Sequence, residues 1–153
     1  MKVDYGANAA PALGGVLETA VYVDDLDKAE RFYAGVLGLP KAFAEPGRLL
    51  VFRSHESILL VFNPQHTEWD QIVINGERIP LHGTHGAGHV AFRVTEKELD
   101  VWRSHLHAAG VKIESEVTWP NGARSIYFRD PAGNSLELAT PNMWEFGKAQ
   151  SDR

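Results

Sequence analysis

The 153-residue chain contains no cysteine, which removes disulfide frameworks, thiolate metal sites and a cysteine nucleophile from consideration. Any metal ion must then be held by nitrogen and oxygen. A basic excess is also missing: 15 Lys and Arg face 20 Asp and Glu, for a formal charge of −5 and a pI near 5.8, and the cations are scattered. No nucleic-acid partner is expected of such a chain. No apolar run approaches the roughly eighteen residues of a membrane span. The opening MKVDYGANAAPALGG lacks the charged-then-apolar pattern of a signal peptide, so a cytoplasmic protein with no membrane partner is expected. What is present is a 44% hydrophobic chain, enough for one domain with a proper core and too short for a second independent one.

Hydrophobic periodicity divides the chain into five segments: a leader over 1–15, a first module over 16–62, a linker over 63–87, a second module over 88–140 and a tail over 141–153. Residues 17–23 alternate as a strand, and Asp24 or Asp25 can cap a helix with Leu26, Ala29, Phe32, Tyr33, Val36 and Leu37 at helical spacing up to Gly38. Strands are predicted near 40–44, 48–53 and 57–62, so the first module reads βαβββ. The polar 63–87 segment reads as a long loop with one short strand at 71–75. The order then restarts with a strand over 88–94, a helix over 96–109 and strands near 111–117, 124–129 and 134–139. The fold class expected is α+β, with two tandem βαβββ modules forming a curved mixed sheet.

Offsets support an internal duplication. Glu18 and His89 hold the same place in their strands, each seven residues before an acidic helix start, Asp25 and Glu96. Aligning Ser57 with Ser135 sets Leu59 opposite Glu137. Strand alternation assigns Thr19, Val21 and Val23, then Val90, Phe92 and Val94, then Leu136 and Leu138 to the helix side. Glu18, His89 and Glu137 therefore point the other way on three separate strands. Carboxylate and imidazole suit Mn, Ni, Zn, Mg or Fe(II), so one divalent metal ion is the expected cofactor.

Three stretches carry a family resemblance: Val-Asp-Asp-Leu-Asp-Lys-Ala-Glu-Arg-Phe-Tyr-Ala-Gly-Val-Leu-Gly-Leu at 23–39, Gly-His-Val-Ala-Phe at 88–92 and Tyr-Phe-Arg-Asp-Pro-Ala-Gly-Asn-Ser-Leu-Glu-Leu at 127–138. With the doubled βαβββ order they resemble the vicinal oxygen chelate superfamily of glyoxalases, bleomycin resistance proteins and extradiol dioxygenases. The resemblance implies metal ligands at Glu18, His89 and Glu137, with Leu59 in the fourth ligand's place. It also implies a homodimer, with the ligands of one site drawn from one chain or two. A three-ligand site leaves room for a small-molecule substrate with two adjacent oxygens, and a lyase or isomerase that stabilises an oxyanion or enolate is the reading expected.

Two rivals remain at this level. An extradiol dioxygenase fits the Ile126-Tyr127 to Glu137 pattern, but its further catalytic His would fall at Thr118, Trp119 or Pro120 and is missing. A metal-free binding protein of the bleomycin-resistance type would lack the three ligands. Tyr127, alternating with core-like Ile126 and Phe128, is the candidate acid or hydrogen-bond donor. Arg124 and Trp119 are the candidate substrate contacts, with Trp144 as a weaker cover. His82 and His85 precede His89 in a Gly-rich stretch that suits a loop, with a substrate contact or a base as the alternative.

Overall fold

Ten strands and three helices account for most of Pro11 and residues 13–144, which a computed structural model of the chain describes. Most of the 1–15 leader and the 145–153 part of the tail lie outside the described residues. Strand β1 (Glu18–Tyr22) leads into helix α1 (Leu26–Glu30), whose N-cap is Asp25. The Asp25 carboxylate accepts from the Lys28 backbone N–H at 2.9 Å, which holds its carboxyl below the usual range. The helix continues as a π-helical stretch (Arg31–Val36), where the wider turn brings both Phe32 and Tyr33 into the core. Strands β2 (Lys41–Glu45), β3 (Leu49–Ser54) and β4 (Ser57–Phe62) complete the first module.

The second module repeats the order with β7 (His89–Arg93), helix α3 (Glu96–Ala108), β8 (Ile113–Thr118), β9 (Arg124–Arg129) and β10 (Ser135–Ala139). Thr95 and Glu98 form a reciprocal capping box at the start of α3. Between the modules, 63–87 is more structured than a loop: it holds helix α2 (Pro64–Thr67) and a small hairpin of β5 (Val73–Ile74) and β6 (Glu77–Arg78). The single strand expected at 71–75 is the first arm of that hairpin, closed by Asn75-Gly76.

Each module forms its own four-stranded mixed sheet, ordered β1-β4-β3-β2 and β7-β10-β9-β8. In both, the first strand is an edge that pairs in parallel with the last, with Ala20 opposite Leu60 and Ala91 opposite Glu137. These pairings match Glu137 with Leu60, so the expected equivalence with Leu59 is off by one residue. Leu59 is 1% exposed and belongs to the core. A one-residue slip moves every side chain to the other face of the sheet.

One hydrophobic cluster joins the helix sides of both modules. Phe32 packs on Phe128 and Tyr33 on Phe52, across module and within it. A buried polar seam fixes the modules to each other. Tyr33 donates to Asp130 at 2.7 Å, and Asn134 donates to both Asp130 and the Tyr22 carbonyl. The Gly88 N–H donates back to Asn134 at 2.8 Å, an approach so close that a Cβ at Gly88 would sit 3.3 Å from that oxygen. The Asp-Pro-x-Gly-Asn stretch is thus a structural tie between modules, with every buried group partnered.

Candidate metal centre

The open face of the second module is built from alternate residues of four strands. Register groups them into rows: His89, Ser135 and Arg129; then Ala91, Glu137, Tyr127 and Ser115; then Arg93, Ala139, Ser125 and Val117. Glu137 is only 4% exposed although it lies on this face. A buried carboxylate needs partners, and Ser125, His89 and Tyr127 surround it. Ser125 donates to its Oε1 at 2.5 Å, and His89 Nε2 stands 3.3 Å from its Oε2.

The tautomer of His89 follows from its other nitrogen. Nδ1 lies 3.0 Å from the Ser135 carbonyl, which only accepts, so Nδ1 carries a proton. Nε2 then faces Oε2 of Glu137 at 3.3 Å, a separation that suits an ion pair with an imidazolium and equally two ligands of one ion. Two ligands on one ion at ordinary nitrogen and oxygen distances are about 3.0–3.4 Å apart. A carbonyl that orients the second ring nitrogen is the usual support of a metal-ligating histidine. The pair therefore fits a divalent ion, as two donors of a larger set.

Glu18 is exposed at the start of β1 in the other sheet. Among the described residues, no group of three or more His, Asp or Glu is placed to share an ion. The chain thus brings together His89 and Glu137 and leaves Glu18 apart. A cleft of about 910 Å³ does open between the modules, but it is lined by Leu37, Leu59, Val90, Phe92 and Trp102 among others and by neither His89 nor Glu137. The cleft and the His89–Glu137 pair are thus separate places in the fold.

The other expected residues divide. Tyr127 stacks on His89 with ring centroids 6.4 Å apart, and burial together with the Glu137 carboxylate holds its hydroxyl proton above the ordinary value. Trp119 donates from Nε1 to Ser125 at 2.9 Å and so touches Glu137 through one hydroxyl. Arg124 is placed differently. It shares the helix side with Ile126 and Phe128, and its guanidinium is bound to Glu96 and Asp100 of α3, out of reach of the open face. Trp144 is 72% exposed. Ser125 was missed, although its position two residues before Tyr127 places it on the same face. The loop histidines also have defined partners: the Tyr22 hydroxyl and His82 Nδ1 are 2.6 Å apart, and His85 meets Glu68 at 2.9 Å.

These elements and their order define a class. Residues 15–138 match the model of the Glyoxalase/Bleomycin resistance protein/Dioxygenase superfamily, and the chain belongs to that family. Among solved structures, it is 39% identical to a lactoylglutathione lyase from Agrobacterium tumefaciens, with 89% of this chain and 100% of that one covered and a TM-score of 0.82. The fosfomycin resistance protein FosX from Mesorhizobium loti shares the fold at 19% identity and a TM-score of 0.59, over 84% of this chain and 93% of that one. The metallothiol transferase FosB of Bacillus licheniformis is 36% identical over 58 residues, 37% of this chain and 38% of the transferase. The match thus spans well under half of that relative. Among the described residues, no helix is long and apolar enough to cross a membrane.

Proposed function

We propose that the chain is a metal-dependent enzyme of the glyoxalase-like lyase or isomerase type, in which His89, Glu137 and Glu18 hold one divalent ion and a small molecule binds there through two adjacent oxygens. The observation that carries this reading is the His89–Glu137 pair, with imidazole Nε2 and carboxylate Oε2 3.3 Å apart and the ring oriented by the Ser135 carbonyl. Similarity to the Agrobacterium tumefaciens lactoylglutathione lyase favours the same class.

When bound, a divalent ion would polarise the two substrate oxygens and stabilise charge that develops on them. The chain's own groups do the rest. Ser125 holds Oε1 of Glu137 so that Oε2 stays aimed at the ligand position. Tyr127, protonated at neutral pH, supplies an O–H donor beside His89 for a substrate oxygen. The third donor would come from a second copy of the chain. Glu18 lies on an edge strand preceded by Val16 and Leu17, each 76% exposed, and β7 is likewise an edge. Juxtaposing β1 of one copy with β7 of another covers these residues and completes the ligand set, which makes the functional unit a homodimer.

Metal analysis of the purified protein beside Glu137→Ala tests the reading. About one ion per chain is expected in the parent and almost none in the variant. Equal, negligible metal in both would overturn it in favour of a metal-free binding protein. Mixing Glu18→Ala with His89→Ala subunits tests the sharing: binding restored toward about a quarter of the parent stoichiometry is expected, since exchange makes half of the dimers mixed and each has one intact site, whereas no restoration after subunit exchange confines each site to one chain. The metal's identity separates iron-dependent oxygen chemistry from the rest.

A further inference from the structure

Asparagine followed by glycine occurs twice in the chain, at Asn75-Gly76 and at Asn121-Gly122. In such a pair the backbone nitrogen of the glycine can attack the side-chain carbonyl carbon of the asparagine, because glycine has no side chain to block the approach and its backbone turns freely. The carbon–nitrogen bond to the side-chain amide breaks, ammonia leaves and a five-membered imide forms. Water then opens the imide at one of its two carbonyls, giving aspartate or, where the backbone now runs through the side-chain carboxyl, isoaspartate. One water enters and one ammonia leaves, and no oxidant, metal or cofactor is needed. The reaction depends on the freedom of two groups, the glycine N–H and the asparagine amide.

At Asn121 both groups are tied. The Gly122 N–H donates to the Trp119 carbonyl at 2.8 Å, Asn121 Nδ2 donates to the Asn142 carbonyl at 3.0 Å, and its Oδ1 accepts from the Ala123 N–H at 3.1 Å. The turn is closed beneath by the Trp119 N–H on the Ala123 carbonyl and by β8 and β9, inner members of a four-stranded sheet's antiparallel half. Asn75 is built otherwise. Its hairpin has arms of two residues and forms a sheet of its own, and every residue from Val73 to Arg78 is exposed. The ladder pairs Val73 with Arg78 and Ile74 with Glu77, so the two loop residues stand outside it. A lone two-stranded hairpin is marginal in water, and segments with little buried surface open locally at small cost. Around Gly76 the space is clear, since a Cβ built there would meet nothing within 4 Å.

We propose that Asn75 is a modification site at which the folded protein, without an enzyme, is converted by water to aspartate and isoaspartate, while Asn121 is held intact by its turn. Both products set a new carboxylate at the hairpin tip beside Glu77. The isoaspartyl form also lengthens the loop by one backbone carbon, which works against the pairing of Ile74 with Glu77. Neither change touches the core, for the hairpin contributes no residue to it. The modified chain therefore stays folded.

The whole protein, aged in mildly alkaline buffer both folded and unfolded in guanidinium chloride, supplies the test. Mass spectrometry follows the tryptic peptides 54–78 and 113–124, which carry the two pairs. In the folded protein Asn75 is expected to convert within about threefold of its unfolded rate, since so short a hairpin opens at little cost. Asn121 should be slowed by folding at least about tenfold, the factor that one retained hydrogen bond supplies. In Asn75→Gln, whose longer side chain would have to close a six-membered ring, the change in peptide 54–78 should vanish. A change that persists in Asn75→Gln would place the reaction elsewhere in that peptide and overturn the proposal. Folding that protects Asn75 as strongly as Asn121 would overturn it as well, by showing the hairpin closed, and equal conversion of both pairs in the folded protein would refute the protection of Asn121.

Discussion

Strand β10 and strand β4 hold the same place in their modules, yet at the same register one presents Glu137 and the other Leu60. The contrast is greatest in the middle rows: the second module sets Glu137 and Tyr127 beside Ala91 and Ser115, the first Leu60 and Val51 beside Ala20 and Phe43, while Glu18, Arg53, Tyr22 and Glu45 lie in the first module's outer rows. Both helix sides, by contrast, contribute to one shared core. The repeated unit thus keeps an apolar packing face, where volume and apolarity are constrained, and differs on the open one. The two open faces are thus unequal at their centre, a buried carboxylate in one and a half-buried leucine in the other.

The largest expected effect comes from cutting the seam that holds the unequal halves together. Asn134→Ala removes hydrogen bonds to Asp130, the Tyr22 carbonyl and the Gly88 N–H at a position 1% exposed. One buried and two partly buried groups left without that partner cost about 2–3 kcal/mol. Urea denaturation measures it, and a loss below about 1 kcal/mol would mean that the modules are held by apolar packing alone.

Tyr33 reports on the same seam through pH. Its buried hydroxyl donates to Asp130, and burial with that neighbouring carboxylate holds its proton above the ordinary tyrosine value of 10.0. The folded chain therefore keeps a proton that the unfolded chain releases. This contribution is fully present below about pH 10 and is lost as pH rises above it. Tyr33→Phe should cost about 1–2 kcal/mol at neutral pH and show a shallower alkaline decline than the parent. Tyr22 and Tyr127 are raised as well, so the difference between the two curves is the measurement. Identical slopes above pH 10 would remove Tyr33 from the account.

Leu60→Glu erases the difference between the modules at its centre. It sets a carboxylate at the register of Glu137 and, on the proposed reading, supplies a fourth donor. Metal affinity should rise about tenfold, or 1.4 kcal/mol. Calorimetric titration with the parent's own metal reads it. Unchanged affinity would mean that the two faces do not meet in one site.

Much of this was legible in the sequence because strand alternation and helical spacing are local. The βαβββ order, the Asp25 cap and the shared face of His89 and Glu137 follow from residues within a few positions of one another. Ser57 to Phe62 was not legible in the same way: SILLVF is apolar at five of six positions, so no alternation marks its faces. Matching Ser57 to Ser135 by identity then chose the wrong leucine. Only the pairing of Ala20 with Leu60, a contact between residues 40 apart, sets the phase. The Tyr22–His82 pair spans 60 residues and a hairpin that the polar linker composition conceals.

Arg124 gives the smallest predicted effect and the sharpest lesson about faces. The alternation that aims Tyr127 at the open face puts Arg124 with Ile126 and Phe128, and there its guanidinium is held by Glu96 and Asp100. These carboxylates are exposed, and solvent screening leaves such pairs little net weight. Arg124→Ala should therefore leave metal content at the parent value, with only a slight fall in melting temperature. Ser125→Ala, one residue along and on the other face, should lower metal affinity about tenfold, since it releases Glu137 Oε1 and the Trp119 indole together. Metal titration of the two variants side by side decides the matter: a weakened Arg124→Ala with a normal Ser125→Ala would reverse the assignment of faces on β9, and with it the placement of Tyr127 beside the centre.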